Sequence, residues 1–152
     1  MSNPEEIIKV TAIEVSLARD LRHRILRPNQ PPDACIYPND NVADTGHFGV
    51  FQDGLLVGIA SVFHETLPQN PGLADWRIRG MATEEAVRGK GYGGLLVEEI
   101  IAYVASQGGK GIWCNARTGV MGFYAKFDFT PHGREFELPG IGPHYLMIRP
   151  IF

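Results

Sequence analysis

The chain has little cysteine, two residues in 152, and their placement excludes two classes of protein. Cys35 and Cys114 lie 79 positions apart, with no C-x-x-C and no Cys/His spacing of the zinc-binding kind. Both are read as free thiols of a reducing compartment. His23, His47, His64, His132 and His144 show neither H-x-x-x-H nor H-E-x-x-H spacing, so no metal site is expected. The apolar runs fall far short of the ~20 residues that span a bilayer. The opening residues, with Pro4-Glu5-Glu6, lack the basic and then apolar pattern of a secretory leader. The expectation is a cytoplasmic protein without membrane contact. A net charge of -3 gives no global field to gather nucleic acid.

What is present is ordinary globular composition, 44% apolar and 20% charged. The length suits a single domain over residues 1–152. Ile7–Val10 reads as a short strand. Thr11-Ala-Ile-Glu14 has the form of a capping box, and Val15, Leu17, Ala18, Leu21, Ile25 and Leu26 follow at helical spacing as far as Pro28. Arg19, Arg22, His23, Arg24 and Arg27 crowd the other face of that helix. Residues 28–45 hold four prolines and no periodicity, which predicts a long loop, ordered or semi-ordered.

Two β-type runs, His47–Gln52 and Leu55–His64, flank Asp53-Gly54, a strong hairpin signal because both turn positions need positive φ. Trp76–Thr83 is a further strand, with Trp76, Ile78, Gly80 and Ala82 on one face and Arg77, Arg79, Met81 and Thr83 on the other. Tyr92–Gln107 is a helix apolar over a wide arc and stopped by Gly108-Gly109. Gly111–Asn115 is a buried strand, and Thr118–Phe127 a short helix with Thr118 as its N-cap. Phe129–Leu138 and Tyr145–Ile151 close the chain as strands. The order β-α-β-β-β-α-β-α-β-β predicts an α+β fold with a mixed central sheet flanked by helices.

The informative stretch is Arg88-Gly89-Lys90-Gly91-Tyr92-Gly93-Gly94, between a strand and a helix N-terminus. Such a turn exposes backbone N–H groups at the positive end of the helix dipole and attracts phosphate, and Arg88 and Lys90 add charge. The pattern G-x-x-x-x-G-K-[ST] is absent. The dinucleotide fingerprint also fails, since Leu96 stands where its third glycine belongs and a hairpin precedes the strand. For the glycines alone, a tight strand-to-helix turn without a ligand is the alternative.

The segment from Met81 to Leu96, with Arg88-x-x-Gly91-x-Gly93, resembles the acetyl-CoA signature R/Q-x-x-G-x-G/A of the GNAT superfamily of N-acetyltransferases. Trp113-Cys-Asn-Ala-Arg117 and Gly122-Phe-Tyr-Ala-Lys-Phe-Asp-Phe129 resemble its second signature, except that Asp128 replaces a glycine. Gly140-Ile-Gly-Pro-His144-Tyr is similar to a Gly-Ile-Pro-His element of small bacterial members. The resemblance implies a GNAT fold and acetyl-CoA as co-substrate. It implies that the amides of Val87, Arg88, Gly89, Gly91 and Gly93 take the pyrophosphate, with Arg88 or Lys90 adding a charged contact. The Thr83 backbone and Asn115 would hold pantetheine. The Met81 N–H would face the thioester oxygen, and Tyr124 would protonate the leaving thiolate. Tyr124 also reads as a core aromatic, and Asn115 as a strand-end cap.

Many members carry a glutamate base where this chain has Arg77. Either a water chain replaces it, or Glu65, Asp75, Glu84, His64 or His144 serves. Arg77 and Arg79 suit an anionic group on the acceptor; pairing with neighbouring carboxylates is the competing reading. The resemblance therefore implies acetyl transfer to a small-molecule or peptide amine by direct attack in a ternary complex. A non-catalytic acyl-CoA sensor on the same fold is the alternative. Relatives dimerise, so a homodimer stays open.

Overall fold

The computed structural model describes residues 6–151. Its strands are β1 (Ile8–Ala12), β2 (Gly46–Gln52), β3 (Leu55–Phe63), β4 (Trp76–Thr83), β5 (Gly111–Arg117), β6 (Thr130–Leu138) and β7 (Gly142–Pro150). Its helices are α1 (Val15–Leu21), α2 (Tyr92–Ser106) and α3 (Met121–Ala125). One sheet runs in the order β1-β2-β3-β4-β5-β7-β6. It is mixed: β4 lies parallel to β5, while β1 with β2, β5 with β7 and β6 with β7 are antiparallel. The expected α+β class with helices about a mixed sheet is what the chain adopts. Among the described residues no helix is long and apolar enough to cross a membrane. The chain forms two compact units.

The first unit gathers the chain as far as Ser61 with Gly80–Ile100. The β2–β3 turn is as expected, Asp53 at φ 50° and Gly54 at 85°. The capping box does not form. Thr11 lies inside β1, opposite Gly49 of β2, and Glu14 takes the N-cap position without a side-chain bond. The strand ladder, which satisfies both backbone groups at each bonded residue, outcompetes a single cap. After Leu21 the helix widens into a π-helical turn over Arg22–Leu26, closed by the Arg27 N–H on the Arg22 carbonyl at 3.0 Å. Ala18 and Leu21 pack on Ile59 and Ala82, with Ile13, Ile25, Leu26 and Leu56 around them. Each fully buried leucine or isoleucine here contributes ~1.5–3 kcal/mol. The proline-rich segment is ordered. It makes a short 3₁₀ turn at Pro32–Cys35 and buries Cys35, Tyr37 and Asp40.

The second unit gathers Val62–Arg79 with Ile101 onward. Leu67, Ala74, Trp113 and Ile148 form its core on one side. Gly109 ends α2 against Trp76 and Val104, where a Cβ has no room. The third helix is shorter than expected: a 3₁₀ turn Thr118–Val120 precedes α3. Thr118 is not its cap, because its hydroxyl donates to Glu135 Oε2 at 2.9 Å. Asp128 is left-handed at φ 67° and does the work of the glycine it replaces. β7 begins three residues before the expected Tyr145, at Gly142, because its pairing with β6 runs to Leu138↔Gly142.

Candidate functional site

In the first unit the signature loop runs from β4 to α2. Glu85–Val87 make a 3₁₀ turn, and Gly89 (φ 88°) and Gly91 (φ 84°) are left-handed. A Cβ on either glycine would meet nothing within 4 Å, so these glycines serve the backbone conformation rather than packing, and their surroundings are open. The Val87 and Arg88 N–H groups already donate to Glu84 and Glu85 carbonyls, at 3.1 and 3.2 Å, and Lys90 N–H donates to Val87 at 3.3 Å. Among the described residues the Gly89 and Gly91 amides make no backbone hydrogen bond. Gly93 lies in the first turn of α2, whose amides have no intrahelical acceptor. Three of the five amides expected to meet phosphate therefore remain for it.

The charges around this loop are engaged. Arg88 Nε donates to the Thr83 carbonyl at 3.3 Å. Lys90 Nζ lies 3.3 Å from Glu6 Oε1, and the Tyr92 hydroxyl donates to Glu6 Oε2 at 3.4 Å. Nothing in the sequence marked Glu6, which acts through a contact spanning 84 positions. Met81 and Thr83 are half-buried on β4. Just before Met81, Gly80 is left-handed in mid-strand, at φ 68°.

Beside Gly80 stands a buried polar cluster that sequence reasoning missed. Arg22, grouped by the sequence with the polar face of the first helix, is wholly buried: it stands four residues after Ala18 and next to Leu21, on the face that helix turns to the core. Arg22 Nη1 donates to Cys35 O (2.9 Å) and Asp40 Oδ2 (2.8 Å); Nη2 donates to Asp40 Oδ1 (3.1 Å) and Ser61 Oγ (3.0 Å). The guanidinium carbon lies 4.0 Å from the centre of the Tyr37 ring. Desolvation would raise the Asp40 carboxyl's pKa, but the Arg22 bonds, the Tyr37 N–H and the nearby positive charge outweigh it and hold it below the usual range. His47 is buried between Ser61 Oγ (2.7 Å) and Asp40 O (2.9 Å), and desolvation pushes its pKa down.

In the second unit, Arg77 Nη1 donates to Glu65 Oε2 at 3.0 Å, and its guanidinium lies 4.6 Å from the Trp113 ring centre. The Trp113 indole N–H in turn donates to the Glu65 carbonyl at 2.8 Å. The pairing reading thus holds for one Arg77 nitrogen; Nε is buried without a hydrogen-bond partner among the described residues. Arg79, next on that face, is half-buried. Asn115 is half-buried on β5 opposite Leu146. Tyr124 is buried edge-on to Phe123 and Phe129. Burial, then the neighbouring Cys114, pushes the phenol well above its ordinary pKa. Burial also lifts the Cys114 thiol to about 12, against the pull of Arg77. Both keep their protons at neutral pH.

The candidate bases differ in what they already do. Glu65 is tied to Arg77, and Glu84 to Arg24 at 3.0 Å. Asp75 Oδ1 accepts the Lys110 and Gly111 amides, at 2.9 and 3.3 Å. His64 is exposed and stacks on Trp76 with ring centres 4.5 Å apart. His144 is buried, with Nδ1 2.7 Å from the Gly142 carbonyl. A carbonyl accepts only, so Nδ1 carries the proton when the ring is neutral and Nε2 carries the lone pair.

Comparison with known proteins bears on both units. The sequence profile of the acetyltransferase (GNAT) family matches residues 15–129. "Uncharacterized N-acetyltransferase YitI" of Bacillus subtilis (strain 168) is 38% identical over 143 residues, covering 94% of this chain and 96% of that protein. Escherichia coli ElaA has a similar fold at 22% identity, with a TM-score of 0.74 over 95% of this chain and 99% of its own. An aminoglycoside 6'-N-acetyltransferase solved with coenzyme A superposes at a TM-score of 0.69 and 16% identity, over 95% of this chain and 97% of the other.

Proposed function

The chain belongs to the acetyltransferase (GNAT) family, and from that membership we propose that it transfers the acetyl group of acetyl-CoA to a primary amine by direct attack in a ternary complex. The observation that carries this reading is the loop before α2. It pairs two left-handed glycines with open surroundings and uncommitted amides at a helix N-terminus. In this reading Gly89, Gly91 and Gly93 donate to the CoA pyrophosphate, with Lys90 beside them. Val87 and Arg88 shape the turn. Thr83 and Asn115 hold pantetheine.

The amine lone pair attacks the thioester carbonyl and forms a C–N bond. Negative charge gathers on the oxygen, and the Met81 N–H takes it up. The C–S bond then breaks, the electron pair leaves on sulfur, and Tyr124 supplies the proton. The phenol stays protonated at neutral pH, so the proton is there to give. The amine proton goes to His144 Nε2. This assignment is supported by the pinned tautomer and by the salt bridges of Glu65 and Glu84. Arg77, with Arg79, favours an acceptor carrying an anionic group. A reducing, cytoplasmic compartment fits the free Cys35 and Cys114.

The ion pairs of Glu65 and Glu84 also keep the sensor reading in play, because they occupy two candidate bases. Calorimetric titration with acetyl-CoA tests the loop. CoA release over a panel of amines and amino acids separates enzyme from sensor. Saturable acetyl-CoA binding with amine-dependent CoA release is expected; binding without release under every amine supports the sensor.

A further inference from the structure

A buried guanidinium is costly unless its donors and its charge are met. Arg22 is fully buried, and four of its contacts are hydrogen bonds to Cys35, Asp40 and Ser61. The exception is Nε, buried with no hydrogen-bond partner among the described residues. A Cβ built on Gly80 would stand 3.0 Å from that nitrogen and 3.2 Å from Cε2 of Tyr37. The stacked pair of Arg22 and Tyr37 therefore abuts Gly80 where β4 turns left-handed.

Buried ion pairs are weak stabilisers, often equalled by apolar side chains of the same volume. What this one provides is a planar, rigid body with a fixed shape. Gly80 has the softest backbone in the strand, and it is held between that body and its own neighbours. The peptide plane joining Gly80 to Met81 contains the Met81 N–H, and the torsions of Gly80 set its direction.

We propose that Arg22, fixed by Asp40 and stacked on Tyr37, is a positioning residue that aims the Met81 amide by holding Gly80 in its left-handed conformation. The inference rests on the acetyl-CoA reading, in which that amide meets the thioester oxygen. Its signature is specific. The amide contacts the acetyl carbonyl, which acetyl-CoA has and free CoA lacks. Losing the aim should erode the preference for acetyl-CoA over CoA and leave CoA itself bound as before.

The experiment is calorimetric titration of the parent, Arg22→Lys and Tyr37→Leu with acetyl-CoA and with CoA. The parent is expected to prefer acetyl-CoA, and both variants to lose about fivefold of that preference, the scale of one hydrogen bond. CoA affinity should stay within twofold of the parent. Affinities for both ligands falling in parallel, or a preference unchanged in the variants, overturns the proposal. A parent that binds the two ligands equally overturns it too, while leaving the CoA site standing. A parent that binds neither defeats the acetyl-CoA reading itself. If Arg22→Lys does not fold, Tyr37→Leu, which leaves the ion pair intact, decides by the same ratio.

Discussion

Arg22 and Asp40 form a two-pronged ion pair, 2.8 and 3.1 Å, with side-chain exposures of 0% and 1%. It joins the end of the first helix to the proline-rich segment. Asp40 also accepts from the Tyr37 N–H at 3.0 Å and from Arg19 Nε at 3.3 Å. Asp40→Ala leaves a buried guanidinium without its counter-charge. The expected loss is about 3–5 kcal/mol of unfolding free energy, large against typical domain stability. Urea unfolding of the two proteins checks it; a loss below ~1 kcal/mol would mean that water reaches the Arg22 site.

The same cluster predicts how stability responds to acid. His47 and Asp40 both have pKa values lowered on folding, so the unfolded chain binds more protons than the folded one. Stability from His47 is complete above its ordinary value of about 6.5 and falls as the pH drops below it. The Asp40 contribution is lost further down, below the usual carboxylate range near 4. His47→Gln keeps polar atoms that can bond and removes the titration. Its melting temperature should be flatter than the parent's between pH 7 and pH 5, readable by calorimetry at half-unit steps. Parallel curves would exclude His47 as the source.

Gly91→Asp tests the loop. At φ 84° an L residue is strained by roughly 1–2 kcal/mol, and the side chain adds negative charge beside the amides assigned to phosphate. Acetyl-CoA affinity should fall by at least ~2–3 kcal/mol, some 30- to 150-fold. Gly91→Ala, with the strain but no charge, should lose much less. Equal losses in the two variants would assign the effect to the backbone alone.

Tyr124→Phe removes one hydroxyl from a ring packed between Phe123 and Phe129. Stability and acetyl-CoA affinity should change little, and turnover should drop by roughly 10²-fold. Because burial raises the phenol's pKa, a high-pH limb due to Tyr124 should lie above pH 10 in the parent and vanish in the variant. Turnover within about threefold of the parent, far below the general-acid scale, would reduce Tyr124 to a core aromatic.

Much of the fold was legible because local rules decide it. Asp53-Gly54 dictates a hairpin, Gly108-Gly109 stops α2, and two signatures bracket β4 through α3. The errors fall where a distant partner overrides a local preference. Thr11 follows the β2 ladder rather than its own cap. Thr118 bonds Glu135 across 17 positions. Arg22 shares the buried face of Ala18 and Leu21, and its charge is accommodated there by Asp40, 18 positions away. At the site, residue types and the turn could be read. Which amides were already committed could not, since that depends on how Glu84–Lys90 closes its 3₁₀ turn. Gly80 carried a readable clue, a glycine inside a strand, whose cause lay 58 positions away in Arg22.

In the acetyl-CoA reading proposed above, the contact of Lys90 with Glu6 would make phosphate capture an exchange reaction. A phosphate that takes the ammonium must take it from a carboxylate, so Lys90 contributes the difference between two ion pairs rather than the whole of one. Glu6 lies two residues before β1. Ligand and Glu6 would then compete for one cation, and the competition would be reciprocal: whatever holds Glu6 in place would weaken the ligand by the same factor that the ligand loosens Glu6. Glu6 is in this way thermodynamically part of the loop 84 positions further on.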